Sequence, residues 1–223
     1  AGQVLHRPVW LPLPAWVLED REGVHTPQGS WSPRRKAYVP RSALPVYQRQ
    51  LFQEAVLGDG SLAPEQSGET LFENDGVRLW RLPAVDAGIG ILSFKSKMHA
   101  IGSEVVDGVV AAVRQAEQSL SGLVIWHQPP FAVGANLAQV AEGCAAGDFA
   151  QLDRYVAAFQ QAGQALKYAA VPVVAAVQGM ALGGGCEFAM QATRRVVALE
   201  SYMGLVEAGV GLIPAGGGCK EFA

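Results

Sequence analysis

The pattern of hydrophobic and polar positions changes near residue 70. Before that point no helical or strand period persists, and eight of the thirteen prolines precede residue 65. A segment of this kind does not build an independent core. We therefore predict an irregular, proline-rich arm or linker over residues 1–70 and a folded core over residues 71–223, with residues 58–64 as the best linker candidate.

From residue 71 the pattern is regular and indicates strands alternating with helices. Val105, Val109 and Val113 recur at helical spacing behind Ser103, a candidate N-cap. The remaining periods predict strands over 76–82, 89–94, 123–126, 172–179 and 196–199, and a long amphipathic helix over 149–169. Strands that alternate with helices favour an α/β fold with parallel strands and crossover connections.

Composition narrows the class of protein without deciding it. The chain has 223 residues, of which half are hydrophobic, and a formal net charge of −3. The longest basic cluster, Arg34-Arg35-Lys36, is too short for a phosphate-tracking surface, so no nucleic-acid partner is expected. Three cysteines without metal-ligand spacing predict reduced thiols and no metal site. No signal peptide or long apolar span is present, so we expect a cytoplasmic protein without a membrane span.

The chemistry of the chain is concentrated around a glycine run. Gly183, Gly184 and Gly185 separate a buried strand from a helix that carries Glu187, and Glu207 follows twenty residues later. A helix N-terminus presents unpaired amides that stabilise an oxygen gaining negative charge, and glycine lets that oxygen come close. Neither the dinucleotide fingerprint nor the P-loop spacing occurs, so a nucleotide site is not predicted.

Three blocks resemble the crotonase (enoyl-CoA hydratase/isomerase) superfamily in its own order. They are residues 131–137, 173–190 and 207–218. The resemblance implies a spiral core of repeated β-β-α turns. It also implies two oxyanion amides, from Ala135 and Gly184, and two glutamates that hold a water, Glu187 as base and Glu207 as acid.

The same resemblance implies where the coenzyme A part of a substrate would lie. The loop expected to meet it contains Lys97, Met98, His99 and Ala100, and the residues flanking the oxyanion amides are Gly134, Asn136, Leu137 and Gly183. Asn136 stands where the family commonly has aspartate, so we expect it to serve a local turn. The glycine-rich stretch 216–218 also departs from the family pattern and leaves the position of that loop open.

The function implied is reversible syn hydration of trans-2-enoyl-CoA in fatty-acid β-oxidation. Isomerisation of enoyl-CoA in the same site and a non-catalytic acyl-CoA-binding or assembly module are the alternatives. Residues 1–70 are similar to the tail of a 3-hydroxyacyl-CoA dehydrogenase, which would make this chain part of a bifunctional enzyme. We expect no tightly bound cofactor, with NAD confined to the absent dehydrogenase half, a homo-oligomeric parent, and a core truncated at its C-terminus and therefore poorly active alone.

Several of these residues also have plain structural interpretations. Glu187 could only complement its helix dipole while Glu207 lies on the surface. Residues 95–99 could form a solvated loop in which His99 caps the next segment. His127 is more typical of a hydrogen-bonded loop histidine than of a catalyst. Cys186 is expected to pack as a small residue, because no histidine lies nearby in sequence to activate it as a nucleophile.

Overall fold

A computed structural model describes residues 24–26, 28–41, 43, 45 and 68–223 of the chain. The chain divides into two units, Ala1–Gly58 and Asp59–Ala223, and the division falls at the edge of the predicted linker. Within the first unit, His25–Thr26, Gly29–Ser32 and Ala37–Val39 form a three-stranded antiparallel sheet, so the prediction of an irregular arm was wrong for that part. The short strands of this sheet escape detection because each spans only two to four residues.

The predicted helices and strands occur in the predicted order, and the structure contains further elements between them. The strands are β1 (His25–Thr26), β2 (Gly29–Ser32), β3 (Ala37–Val39), β4 (Glu69–Glu73), β5 (Val77–Leu82), β6 (Ala87–Phe94), β7 (Gly122–Ile125), β8 (Val173–Val177), β9 (Met180–Leu182), β10 (Arg194–Val197) and β11 (Tyr202–Gly204). The α-helices are α1 (Pro83–Asp86), α2 (Ser103–Ser119), α3 (Leu137–Ala146), α4 (Phe149–Lys167), α5 (Gly184–Gln191) and α6 (Gly218–Glu221). Two 3-10 turns lie at Lys97–His99 and Glu207–Val210.

The main sheet of the second unit has six strands in the order β10-β8-β7-β6-β5-β4. The pairs β6–β7, β7–β8 and β8–β10 are parallel, whereas β4, β5 and β6 pair antiparallel. The parallel part follows from the helical crossovers α2, α3–α4 and α5, which the strand–helix alternation predicted. A separate parallel pair, β9 and β11, lies beside the glycine run.

Helix α2 covers the sheet through one apolar stripe. Val105, Val109, Val113 and Ala116 are all buried, as their spacing predicts. The predicted cap is wrong, because Gly102 is the N-cap and Ser103 is the first helical residue.

Helix α4 packs against α2 and buries Phe159, Ala162 and Leu166. Its N-cap is Asp148, whose Oδ1 accepts a hydrogen bond from Gln151 N at 2.9 Å. The helix ends at Lys167, two residues before the predicted end.

Two boundaries differ from the sequence pattern. The strand predicted over 196–199 is β10, which begins and ends two residues earlier, because Arg194 and Arg195 pair with Val174 and Ala175 of β8. The helix expected after the glycine run begins instead within that run, at Gly184. The core is thus α/β as predicted, and the glycine run lies at the point where β9 is followed by α5.

Candidate active site

One pocket of about 340 Å³ holds the four residues predicted to act in catalysis. Its wall is largely apolar and comes from α3, α4, the start of α5 and the stretch after β11. The lining residues are Val133, Gly134, Ala135, Leu137, Val140, Cys144, Leu152, Tyr155, Val156, Phe159, Gly183, Gly184, Glu187, Val206, Glu207, Val210, Leu212, Ile213, Ala215 and Gly216. An apolar cavity with a few convergent polar groups is typical of small-molecule sites.

The amides of Ala135 and Gly184 lie side by side at this pocket. A β-carbon placed on Gly184 would be 3.4 Å from the Ala135 nitrogen, and one placed on Gly134 would be 3.6 Å from the Gly184 nitrogen. Gly184 is the first residue of α5 and so has no acceptor within its own helix. Two neighbouring amides at a helix N-terminus can bind one oxygen that carries negative charge.

Two backbone bridges hold the first of these amides in place. Ile101 N donates to Gly134 O at 2.8 Å, and Asn136 N donates to Ile101 O at 2.9 Å. Ala132 N donates to Met180 O at 3.0 Å and ties the same segment to β9. The segment that carries Ala135 is therefore fixed between the loop after β6 and the strand that leads into Gly184.

Glu187 lies at the inner end of the pocket and is only 3% exposed. Its Oε1 accepts a hydrogen bond from Gly218 N at 2.8 Å. Burial raises the pKa of this carboxyl and the nearby charge of Glu207 raises it further, while hydrogen bonds from the Gly218 and Gly216 amides oppose the rise. The Glu187 carboxyl therefore holds its proton more readily here than it would when exposed to solvent.

Glu207 begins the 3-10 turn after β11 and lines the same pocket. Its Oε2 is buried and, among the described residues, has no hydrogen-bond partner. A β-carbon on Gly183 would be only 2.9 Å from Glu207 Oε1, and Gly183 has a φ of 49°. Glycine is therefore favoured at position 183 for two reasons. A side chain there would displace the Glu207 carboxylate, and the positive φ is strained for other residues.

The structure places the predicted coenzyme-binding residues in two groups. Gly134, Leu137 and Gly183 line the pocket itself. Lys97, Met98, His99 and Ala100 do not line it, but they directly precede Ile101, whose backbone bridges to Ala135. The predicted coenzyme loop therefore adjoins the pocket at the Ala135 amide.

Asn136 has the local role that its type suggested, as a helix cap. Its Oδ1 accepts from Ala138 N at 3.2 Å and Gln139 N at 3.5 Å, so it is the N-cap of α3. Aspartate would accept the same bonds, which explains why either residue suits this position.

His99 does not cap the helix that follows. Its Nδ1 lies 2.6 Å from Pro130 O, and the N-cap of α2 is Gly102. His127 is buried and hydrogen-bonded in its loop, as its plain interpretation predicts.

Sequence reasoning missed two aromatic residues of α4 that shape the pocket. Tyr155 donates its hydroxyl to Ile101 O at 2.5 Å, and burial raises the pKa of that hydroxyl to about 12. Phe159 packs against Phe188 with ring centroids 4.6 Å apart and lies where a side chain on Gly184 would be. Both residues stand on the amphipathic stripe of α4, so their spacing predicted only core packing.

Cys186 is buried beside the two glutamates. Burial raises the pKa of its thiol, and the charges of Glu187 and Glu207 raise it further. A thiol in such surroundings stays protonated, which agrees with a packing role rather than a nucleophilic one.

Within the part of the chain that the structure describes, no cluster of three or more His, Cys, Asp or Glu side chains could hold a metal ion. No helix among those same residues has the length and apolar character needed to cross a membrane.

Comparison with known proteins agrees with this geometry. The family model for enoyl-CoA hydratase/isomerase matches residues 85–223, which is more than half of the chain. The chain belongs to the enoyl-CoA hydratase/isomerase family. A protein of Bacillus subtilis (strain 168) named "Probable 3-hydroxyacyl-CoA dehydrogenase" is 41% identical over 162 residues, which cover 71% of this chain and 20% of that protein.

A second relative comes from a fatty-acid oxidation complex. The fatty acid oxidation complex subunit alpha of Shewanella halifaxensis (strain HAW-EB4) is 32% identical over 158 residues, covering 66% of this chain and 22% of the relative. The chain spans about a fifth of the length of these curated relatives.

Solved structures confirm the fold. Pseudomonas aeruginosa DspI matches with a TM-score of 0.61 at 23% identity, covering 70% of this chain and 63% of that one. An enoyl-CoA hydratase from Bacillus anthracis matches with a TM-score of 0.57 at 19% identity, covering 66% and 57%. The crotonase-like fold predicted from the three sequence blocks is thus confirmed.

Proposed function

We propose that this enoyl-CoA hydratase/isomerase domain catalyses the reversible syn hydration of trans-2-enoyl-CoA to 3-hydroxyacyl-CoA. The observation that carries the proposal is the convergence of the Ala135 and Gly184 amides with the Glu187 and Glu207 carboxylates on one apolar pocket. The two amides alone would not move protons, and the two carboxylates alone would not stabilise the charge that builds on the thioester oxygen.

The amides address the difficult part of the reaction, the negative charge that builds on the thioester oxygen. Attack of water at C3 moves the electrons of the double bond toward the thioester carbonyl, and the resulting enolate-like oxygen would be bound by Ala135 N–H and Gly184 N–H. Loss of one such preorganised donor typically lowers the rate by about 10²–10³-fold.

The carboxylates address the proton transfers. One ionised carboxylate takes a proton from the attacking water, whose oxygen bonds to C3, and the other delivers a proton to C2, so that the atoms of one water are added. Following the resemblance, we propose Glu187 as the base and Glu207 as the acid. The raised pKa of Glu187 opposes its assignment as the base. Because the two carboxyl groups interact, they titrate as a pair.

The substrate we propose is an acyl-CoA thioester whose acyl part occupies the apolar pocket. The coenzyme would lie against the loop containing Lys97, Met98, His99 and Ala100, where the exposed Lys97 offers a positive charge to its phosphates. Coenzyme A enters as part of the substrate. Adding water changes no oxidation state overall, so NAD has no step in this reaction and would serve a dehydrogenase activity such as the Bacillus subtilis relative's name states.

The first prediction concerns both glutamates in the full-length protein that contains these residues. Glu187→Gln and Glu207→Gln should each lower the rate of crotonyl-CoA hydration by at least about 100-fold, with little change in coenzyme binding, because each removes a general acid–base group. Glu200→Gln, on an exposed turn, is the matched control and should keep the full rate. Full hydration activity in Glu207→Gln would contradict the proposal.

A second assay assigns the two proton transfers. With butyryl-CoA in deuterium oxide there is no double bond to hydrate, and only exchange of the C2 hydrogen can occur. If Glu207 is the acid at C2, Glu207→Gln abolishes that exchange and Glu187→Gln keeps it, whereas the opposite result reverses the roles.

The alternatives make different products. An isomerase would convert a 3-enoyl-CoA to the 2-enoyl-CoA without adding water, and an assembly module would bind acyl-CoA without forming any product.

A further inference from the structure

Two histidine rings pack against each other beside the site, although neither lines the pocket. His99 ends the 3-10 turn after β6, and His127 follows β7, so the parallel pairing of β6 with β7 brings their loops together. The ring centroids are 3.9 Å apart, and His127 is only 2% exposed.

Both rings donate to neighbouring carbonyls of one segment. His99 Nδ1 lies 2.6 Å from Pro130 O, and His127 Nε2 lies 2.5 Å from Phe131 O. Because a carbonyl oxygen only accepts, each of these nitrogens must carry the proton. The other nitrogen of His127 accepts from Phe94 N at 3.3 Å, so both polar atoms of this buried ring are used and the ring is neutral.

The segment held in this way leads to the oxyanion amide. Phe131 N donates to Gln178 O at 2.9 Å, and the chain then runs through Ala132 to Ala135. The far end of the segment is fixed by Ile101, which directly follows the loop that contains His99. The loop proposed to meet the coenzyme and the segment that presents Ala135 N–H are therefore joined twice, once by the histidines and once by Ile101.

We propose that His99 and His127 form a positioning pair that fixes the Pro130 and Phe131 carbonyls and, through them, the Ala135 amide. This inference rests on the proposed function, because it is the oxyanion role of Ala135 that makes its placement matter for rate. An amide donor must be held to within a fraction of an ångström to stabilise the transition state, and loops achieve this only when their own hydrogen bonds are fixed. Neither histidine touches the reacting atoms.

Each histidine is tested by two variants, one that removes its donating N–H and one that keeps an N–H near the same position. His99→Asn keeps an N–H near the position of Nδ1 and tolerates the positive φ of 54° found at this residue, whereas His99→Ala removes the donor. His127→Gln keeps an N–H near the position of Nε2, and His127→Leu removes it. Each removal thus has a matched variant that should restore the bond.

The readout that tests placement directly is amide hydrogen exchange over residues 131–136, with β8 as the internal reference. His99→Ala and His127→Leu should speed exchange in that segment by about tenfold or more while β8 is unchanged, since a local opening becomes easier. His99→Asn and His127→Gln should restore exchange close to the unsubstituted rate. In the hydration assay kcat should fall about tenfold in both removal variants. KM should stay within about twofold in His127→Leu, because His127 is buried and outside the loop proposed to meet the coenzyme. The kcat of the double removal should fall no further than that of the worse single one.

The outcomes separate this inference from the proposed function. Unchanged exchange over 131–136 in the removal variants overturns the positioning pair. If His127→Leu also speeds exchange in β8, the leucine weakens the whole fold and the result for His127→Gln decides. Exchange over 131–136 close to the unsubstituted rate in His127→Gln supports the positioning pair, and fast exchange in that segment overturns it. If the exchange results are as expected but the unsubstituted full-length protein that contains these residues does not hydrate enoyl-CoA, the proposed function fails and the positioning pair stands.

Discussion

Glu187 and Glu207 face the same pocket from different surroundings. Glu187 is buried and receives the Gly218 amide, whereas one oxygen of Glu207 is buried without a partner among the described residues. A buried acceptor without a donor is unfavourable, and a water or a substrate group would satisfy it. The pair therefore has one carboxylate whose orientation is fixed by the backbone and one that is ready to accept a hydrogen bond in the pocket.

His127 provides a prediction on pH dependence. Burial lowers its pKa from 6.5 to about 3, with a further contribution from the charge of His99. A group whose folded pKa is below its unfolded value binds more protons when unfolded, so the free energy of unfolding should fall as pH falls from about 6.5 toward 3. Each pH unit in that range removes about 1.4 kcal/mol for one such group.

The measurement is urea denaturation at pH 7, 6 and 5. The unsubstituted chain should lose stability from pH 6 to pH 5, and His127→Gln should lose less over the same interval because glutamine does not titrate. Equal slopes for the two proteins would show that His127 does not hold the depressed pKa in solution. The interval above pH 5 is chosen because ordinary carboxyl groups change little there.

At the scale of elements, the junction between β9 and α5 is crowded on every side. A β-carbon on Gly184 would meet Phe159, one on Gly183 would meet Glu207, and one on Gly216 would overlap Glu187 Oε2. The glycine at 216, in the stretch whose composition departs from the family pattern, thus lets the chain pass directly over the Glu187 carboxylate. The close approach of three chain segments, rather than flexibility, explains why this region is rich in glycine.

Gly183→Ala tests the crowding. The positive φ at Gly183 and the 2.9 Å approach to Glu207 Oε1 should together destabilise the fold by about 1–3 kcal/mol. Because the carboxylate must move, hydration activity should fall by about tenfold or more.

Gly209→Ala is the matched control, since a β-carbon there would meet nothing within 4 Å. It lies in the same turn as Glu207 and should leave both stability and hydration nearly unchanged. If Gly183→Ala were as active and as stable as Gly209→Ala, the close contact between Gly183 and Glu207 would not exist in solution.

At the scale of the whole molecule, the edge strand β10 and the residues after it expose large apolar side chains. Val196 is 65% exposed, Tyr202 68% and Leu199 fully exposed. In the part of the chain that the structure describes, strand β10 pairs with β8 on one side only. An open sheet edge with apolar side chains promotes association of chains.

We therefore expect the 223-residue chain to self-associate at micromolar concentration. Sedimentation should give a mass above the 23.5 kDa of one chain that rises with concentration. Leu199→Lys should lower that mass, because a charge on the exposed surface opposes apolar contact. Val85→Lys, at a site that is half exposed in α1, is the control and should not lower it. A chain that remains monomeric at all concentrations would contradict this expectation.

How much the sequence predicts depends on the range of the interactions involved. Strands β5, β6, β7 and β8 and helices α2 and α4 could be placed because apolar positions repeat along the chain with the period of each element. Helix α3 was missed. Most of its residues are exposed and only Gly143 is buried, and its apolar residues Leu137, Val140 and Cys144 line the pocket instead of joining the core. The shift of β10 has the same origin, since pairing with β8 rather than hydrophobicity determines its ends.

The sequence by itself determined the family and the four residues that meet in the pocket, because the glycine run, the two glutamates and their spacing are local features of the chain. Only the tertiary structure showed the long-range hydrogen bonds that fix the positions of those residues. Tyr155 reaches Ile101 across 54 positions, and His99 reaches Pro130 across 31. Nothing in the spacing of such residues predicts their contact, because it arises only when β6, β7, β8 and the helices between them pack together.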